Sequence, residues 1–171
     1  DAEAYSLETF AGTAKRTSQR ILASEAAVHR DWILASLDVD KAFLNGFTHI
    51  ELAEATGEIP RDVYFTLPPG SAAIIRQFKG YEDYDESVHC LWCVKPETGT
   101  KDAPRAFSLK LKQVTVHKGL HPTSYDPEFE ISDNLRTAKH VDDINLTGTE
   151  RAIDDYIKIV EDTLSLIHIS E

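Results

Sequence analysis

The segment at residues 135–148, LRTAKHVDDINLTG, limits the fold of this chain more than any other. Residues 135–141 and 144–146 have strand composition, turn residues follow, and Asp142 and Asp143 lie between the two arms. This pattern predicts a β-hairpin with the two acids at its tip. A second strand is predicted at residues 32–39, WILASLDV, a mostly apolar run of strand length with Asp38 near its end. If buried, that strand delivers a carboxylate to the end of the sheet. Should the two elements lie side by side, Asp38, Asp142 and Asp143 meet there.

Converging carboxylates at a strand end and a hairpin tip suit one chemistry in particular. Phosphoryl transfer to a growing nucleic-acid strand uses two cations about 4 Å apart, one activating the attacking hydroxyl and one holding the leaving phosphates. Magnesium takes hard oxygen ligands and keeps several waters, so a few carboxylates suffice. An Asp-Asp pair alone is also what an ordinary charged turn looks like. The chain contains a second pair, Asp154 and Asp155, inside an amphipathic helical pattern, where the acids read as a solvated face.

Helices are predicted at residues 18–30, with Ile21, Leu22, Ala26 and Val28 on one side, at 49–56 before Gly57, and at 71–79 before Gly80. Strands are predicted at 62–67, 88–95 and 128–131, with loops at 80–87 and 121–126. Pro104 stands where a helix's first turn tolerates proline, Phe107, Leu111 and Val114 share a face, and Gly119 ends the helix. Thr147 followed by Glu150 reads as a capping box for a last helix with Ile153, Tyr156, Ile157, Val160 and Leu164 on its apolar side. No internal repeat appears.

A chain of 171 residues with 42% hydrophobic content supports one globular domain with a core. No run has the length of a membrane span and the start has no secretion signal, so a soluble, intracellular protein is expected. The absence of Met, even at position 1, reads as a piece of a longer reading frame. Cys90 and Cys93 can be half a zinc site or a redox pair, but their apolar neighbours favour core thiols. Eighteen basic against 29 acidic residues give a net charge of −11, which argues against a surface built mainly for phosphates. From residue 94 to 120, however, Lys95, Lys101, Arg105, Lys110, Lys112 and Lys118 face only Glu97 and Asp102. That stripe is either a solvated helix face or a nucleic-acid contact.

Four blocks carry a family resemblance. LDVDKAFLNG at 37–46 resembles the first catalytic motif of copia-type reverse transcriptases, VYFTLPPG at 63–70 their Pro-Pro-Gly segment, GTKDAPRAF at 99–107 their Ala-Pro-Arg block, and HVDDINLTG at 140–148 their Asp-Asp block. The blocks occur in the family's order and span most of residues 15–163. The resemblance implies an α+β fold: a reverse-transcriptase palm, a ferredoxin-like antiparallel sheet with helices on one face, with partial fingers. Residues 1–163 would form this fingers and palm region. Residues 164–171 would be an extraneous tail, since SLIHISE resembles a peptide translated from sequencing-adapter DNA.

The resemblance also implies RNA-directed DNA polymerisation with two magnesium ions. Asp38, Asp142 and Asp143 would be the catalytic and metal-binding acids, and Val39 would offer its backbone carbonyl. Phe43 matches an aromatic gate that excludes a ribose 2′ hydroxyl, or is a core side chain behind the strand. Lys101 and Arg105 would contact triphosphate or template, or are surface cations. His140 replaces the usual Tyr beside the primer end and adds a titratable group. Asp102 replaces a Gln and sets negative charge near the incoming nucleotide, while Thr98 and Thr100 replace apolar anchors. The implied partners are an RNA template, a DNA primer, deoxynucleotide triphosphates and the rest of a polyprotein, with integrase upstream and ribonuclease H downstream; no membrane is implied. A decayed palm remnant without nucleotide binding is the alternative. A ferredoxin-like phosphotransferase or cyclase explains the acids but not LPPG or KDAPRAF.

Overall fold

The structure, a computed structural model, describes residues 11–164. The expected tail therefore lies outside the described residues, apart from Leu164. In chain order the elements are α1 (Arg16–Val28), β1 (Trp32–Asp38), a short 3-10 helix (Ala42–Asn45), α2 (His49–Thr56), β2 (Val63–Phe65), α3 (Ala72–Ile75), β3 (Leu91–Cys93), α4 (Ala103–His117), β4 (His121–Pro122), β5 (Phe129–Ile131), β6 (Leu135–His140), β7 (Asp143–Thr149) and α5 (Glu150–Leu164). Where length alone suggested one domain, the chain forms two compact units, one of Asp1–Phe47 with Pro96–Glu171 and one of Thr48–Lys95.

The first unit is built on an antiparallel sheet in the order β1-β7-β6-β5-β4. Strand side chains alternate between faces, so register assigns each residue to one side. Leu37 pairs with Ile144, and Ala35 with Leu146. This face is buried against Phe107 and Leu111 of α4 and Ile153, Tyr156, Val160 and Leu164 of α5. A fully buried aliphatic side chain contributes about 1.5–3 kcal/mol, so this layer is the main source of stability.

The opposite face carries the register partners Phe129 and Ala138, which cluster with Ala14 and with Leu22 of α1. Arg136, on the same side, reaches Glu25 of α1 at 3.6 Å. Helices therefore cover both faces, and the expectation of helices on one face is corrected. The reason is that α1 buries Leu22 against Phe129 and Ala138 on that face.

Asp126 ties α1 to the loop before β5. Its Oδ2 accepts from the Ser18 hydroxyl at 2.5 Å and the Lys15 N–H at 2.7 Å, and its Oδ1 accepts from the Glu128 N–H at 3.1 Å. Burial pushes the Asp126 carboxyl up, but these bonds outweigh it and hold the group below the ordinary carboxylate range.

A charged cluster lies inside the α4/α5 layer. Lys139 Nζ is 2.6 Å from Glu130 Oε1 and 3.9 Å from Glu128 Oε2. The Thr115 hydroxyl of α4 donates to the same Glu130 oxygen at 3.0 Å. Both partners of the closer pair are buried. Burial raises the Glu128 carboxyl, with Lys139 pulling it back, and burial beside Glu130 raises the Tyr156 hydroxyl well above its usual value.

The second unit starts with a capping box on α2. Thr48 Oγ1 accepts from the Glu51 N–H at 3.1 Å, and Glu51 Oε2 accepts from the Thr48 N–H at 2.7 Å. Gly57, with φ of 74°, ends the helix. β2 and β3 form an antiparallel ribbon. The carboxylate of Glu86 accepts the N–H groups of Gly70 at 2.7 Å and Ala72 at 2.9 Å, which fastens the Pro-Pro-Gly turn and holds that carboxyl below its usual range.

Several boundaries differ from expectation. The helix predicted at 71–79 is only four residues long, because Gln77 and Phe78 donate to carbonyls three residues back, in 3-10 fashion. The strands predicted at 62–67 and 88–95 shrink to three residues each. Cys90 consequently lies before β3 and is exposed, whereas Cys93 is buried. The box expected from Thr147 and Glu150 does not form. β7 runs on to Thr149, Thr147 donates to the Ile33 carbonyl at 3.1 Å, and Thr149 Oγ1 accepts from the Ala152 N–H at 3.4 Å. Among the described residues no helix is long and apolar enough to cross a membrane.

Two outcomes are expected. Glu130→Leu leaves the buried Lys139 with only the longer contact to Glu128 at 3.9 Å and should lose up to about 3–5 kcal/mol in urea unfolding, while Glu130→Leu with Lys139→Leu should recover most of it. Asp126, with its folded pKa depressed, stabilises the fold above the ordinary Asp pKa of about 3.9, and that contribution disappears as pH falls through the lower folded value. Acid titration of Asp126→Asn should show a shallower loss of stability over that window.

Candidate active site

The β1–β7 register ends with Asp38 opposite Asp143. On the other side of Asp143 stands His140 of β6. These three residues form a row across adjacent strands on the face that α1 covers further along. Asp142 follows in the turn, and its carbonyl accepts the Val39 N–H at 3.2 Å. The backbone therefore brings the three acids that lie far apart in sequence to one end of the sheet, and all three are exposed.

The turn is tight, with Val141 and Asp142 between the strands. Val141 has φ of 59°, in the left-handed region, where a β-branched side chain is strained. A positive φ at the first of two loop residues, as in a type II′ turn, is a position glycine ordinarily takes. Such strain concentrates at functional sites and persists only when the surroundings enforce it. Here the flanking arms pair over their full length and hold the turn.

Beside the turn lies a cleft of about 370 Å³ lined by Lys41, Ala42, Phe43, Leu44, Glu97, Thr98 and Asp142. Phe43 and Asp142 thus border the same cleft. Phe43 is half-buried, packing on the core with one part of its ring and facing the cleft with another. Lys41 follows β1 with φ of 50°, and its ammonium is 3.8 Å from Asp40.

The other expected residues are placed elsewhere. Val39 is buried in the core and engages the site only through its backbone. Lys101 is exposed but does not line the cleft. Asp102 and Arg105, at the start of α4, are buried, so the charge expected beside a nucleotide is withdrawn from the cleft. Among the described residues, no group of three or more His, Cys, Asp or Glu side chains stands assembled to hold a metal ion. The donors at the acid end are hard carboxylate oxygens, which fit magnesium in kind. Lys41 and Glu97 are cleft residues that the sequence does not mark as part of a site. Lys41 sits inside the DVDKAF block, but its left-handed backbone has no sequence signature.

Comparison with known proteins adds a relationship to this geometry. Over 150 residues, 85% of this chain and 9% of the relative, the chain is 29% identical to "Retrovirus-related Pol polyprotein from transposon RE2" of Arabidopsis thaliana. Over 147 residues, 84% of this chain and 8% of the relative, it is 29% identical to "Retrovirus-related Pol polyprotein from transposon RE1" of the same plant. No family model and no solved structure matches the chain. The chain is thus similar in sequence to two retrovirus-related Pol polyproteins of transposons, and it spans less than a tenth of the length of these curated relatives.

The strained turn makes a direct prediction. Val141→Gly relieves left-handed strain of about 1–3 kcal/mol and adds back about 1 kcal/mol of backbone entropy, so stability should be unchanged or higher. Chemical denaturation checks this, and a clear loss of stability would contradict the strain.

Proposed function

We propose that this chain is the fingers and palm part of an RNA-directed DNA polymerase from a copia-type retrotransposon polyprotein, with the first unit as palm and the second as fingers. The observation that carries the reading is the pairing of Asp38 with Asp143 beside Asp142. Its substrates would be an RNA template, a DNA primer and deoxynucleotide triphosphates.

Asp38 and Asp142 would hold two magnesium ions, with Asp143 as the third acid. Bound magnesium would neutralise phosphate charge and favour ionisation of the primer 3′ hydroxyl. The chain's own side chains do the rest. Phe43 in the cleft wall would press on the sugar and leave no room for a 2′ hydroxyl. Lys41 would face the triphosphate from the same wall, and His140 would border the primer end. Lys101, exposed before α4, would meet the template or triphosphate tail only through solvent-accessible contact, while Arg105 would support α4 from within.

A folded remnant that binds no nucleotide is the second reading, favoured by Thr98 and Thr100 in place of apolar anchors and by the net charge of −11. Calorimetric titration with magnesium and a deoxynucleotide separates the two. The polymerase reading expects saturable heat that falls at least tenfold in affinity with Asp38→Asn or Asp142→Asn; the remnant expects none. In primer extension by the polyprotein region containing this chain, Phe43→Ala should reduce discrimination against ribonucleotides at least tenfold, leaving deoxynucleotide use less affected.

A further inference from the structure

The hairpin that carries the acids must be set at one height against β1, and its apolar residues alone do not choose that height. Along the α4/α5 face, β1 presents Ile33, Ala35 and Leu37 and β7 presents Ile144, Leu146 and Gly148. A shift by two residues would place Leu37 opposite Leu146 and keep the faces as apolar as before. Strand β5 has only three residues, so its backbone bonds to β6 bind the register weakly. Hydrophobic contact is non-directional and adds no choice among such registers.

The Lys139–Glu130 pair is directional. We infer that it is a register lock, and that Lys139 and Glu130 are positioning residues for Asp142 and Asp143. Glu130 is anchored to α4 by Thr115, so its carboxylate is fixed relative to a helix outside the hairpin. Lys139 stands one residue before His140 on the strand that leads into the turn. A slip by one residue would turn its ammonium into the place of Ala138, against the apolar Ala14, Leu22 and Phe129 and away from Glu130. A slip by two that sets Leu37 opposite Leu146 would carry it about 6.6 Å along the strand, away from Glu130. Either slip moves Asp142 equally, and its carbonyl leaves the Val39 N–H. The pair's functional meaning rests on the metal-site reading above.

The test compares the chain with Glu130→Leu/Lys139→Leu by amide hydrogen exchange and NMR. With the urea midpoint close to the parent's, the Val39 amide should exchange at least tenfold faster and a second set of signals should appear for residues 141–144. A single set of signals with parental Val39 protection would overturn the inference. Glu130→Gln, which keeps the shape and removes the charge, is the second variant. It should speed Val39 exchange beyond any global loss of stability, and exchange that merely tracks global unfolding counts against the lock. Magnesium titration of the parent chain decides the metal reading on its own. If the parent binds magnesium, the double variant should bind it at least tenfold more weakly. If it does not, that reading fails while Val39 exchange still decides the lock.

Discussion

The pairing of β1 with β7 is the constraint from which the rest of the first unit follows. Because strand side chains alternate, the contact that sets Leu37 opposite Ile144 in the core also sets Asp38 opposite Asp143 at the rim. Burial and chemistry are thus coupled through one register. A chain that buries Leu37, Ile144 and Leu146 in this alignment brings its acids together at the rim. The turn accepts strain at Val141 because both arms are already committed by these pairings.

The same layer contains charges that an apolar core would not need. Lys139 and Glu130 are desolvated, and in such pairs the loss of hydration offsets much of the attraction. Thr115 supplies the additional hydrogen bond that makes a buried carboxylate tolerable. Glu128, further out, shows the remaining imbalance, since its carboxyl is raised despite the nearby ammonium. The cluster therefore adds little net stability, and what it does add is direction: the ammonium is drawn to Glu130 at 2.6 Å rather than to Glu128 at 3.9 Å.

Much of this was legible in the sequence, and the exceptions have physical causes. The hairpin, the acid-ended strand and the α4 and α5 helices were readable because their patterns are long and periodic. The α3 region failed because apolar spacing in SAAIIRQFK fits a helix, while the backbone closes 3-10 turns. The cap of α5 was misplaced by two residues, since Thr147 and Thr149 are equally good cap residues and only sheet pairing tells them apart. Burial of Asp102 and Arg105 could not be foreseen from charge, which favours solvent unless tertiary contacts intervene. Nor could the left-handed backbone at Lys41 and Val141, because neither residue type signals it. The meeting of Lys139 with Glu130 depends on the β5–β6 pairing between them, which no local pattern announces.

Exposure of the three acids explains how the chain tolerates them, and it bears on the proposed chemistry. Two like charges about 5 Å apart repel by about 0.8 kcal/mol in water and several times that in a protein interior. At the sheet rim the repulsion stays small, so the acids can sit together without a bound cation to compensate. The same exposure weakens any cation site made of them alone. Magnesium typically completes its shell with waters and substrate phosphates as well as one or two carboxylates. On the proposed reading, the acids are half of a site whose other half arrives with the triphosphate in the adjoining cleft. Of the three acids Asp142 lines that cleft with Lys41 and Phe43, and a closed cage of protein ligands would leave the nucleotide nothing to contribute.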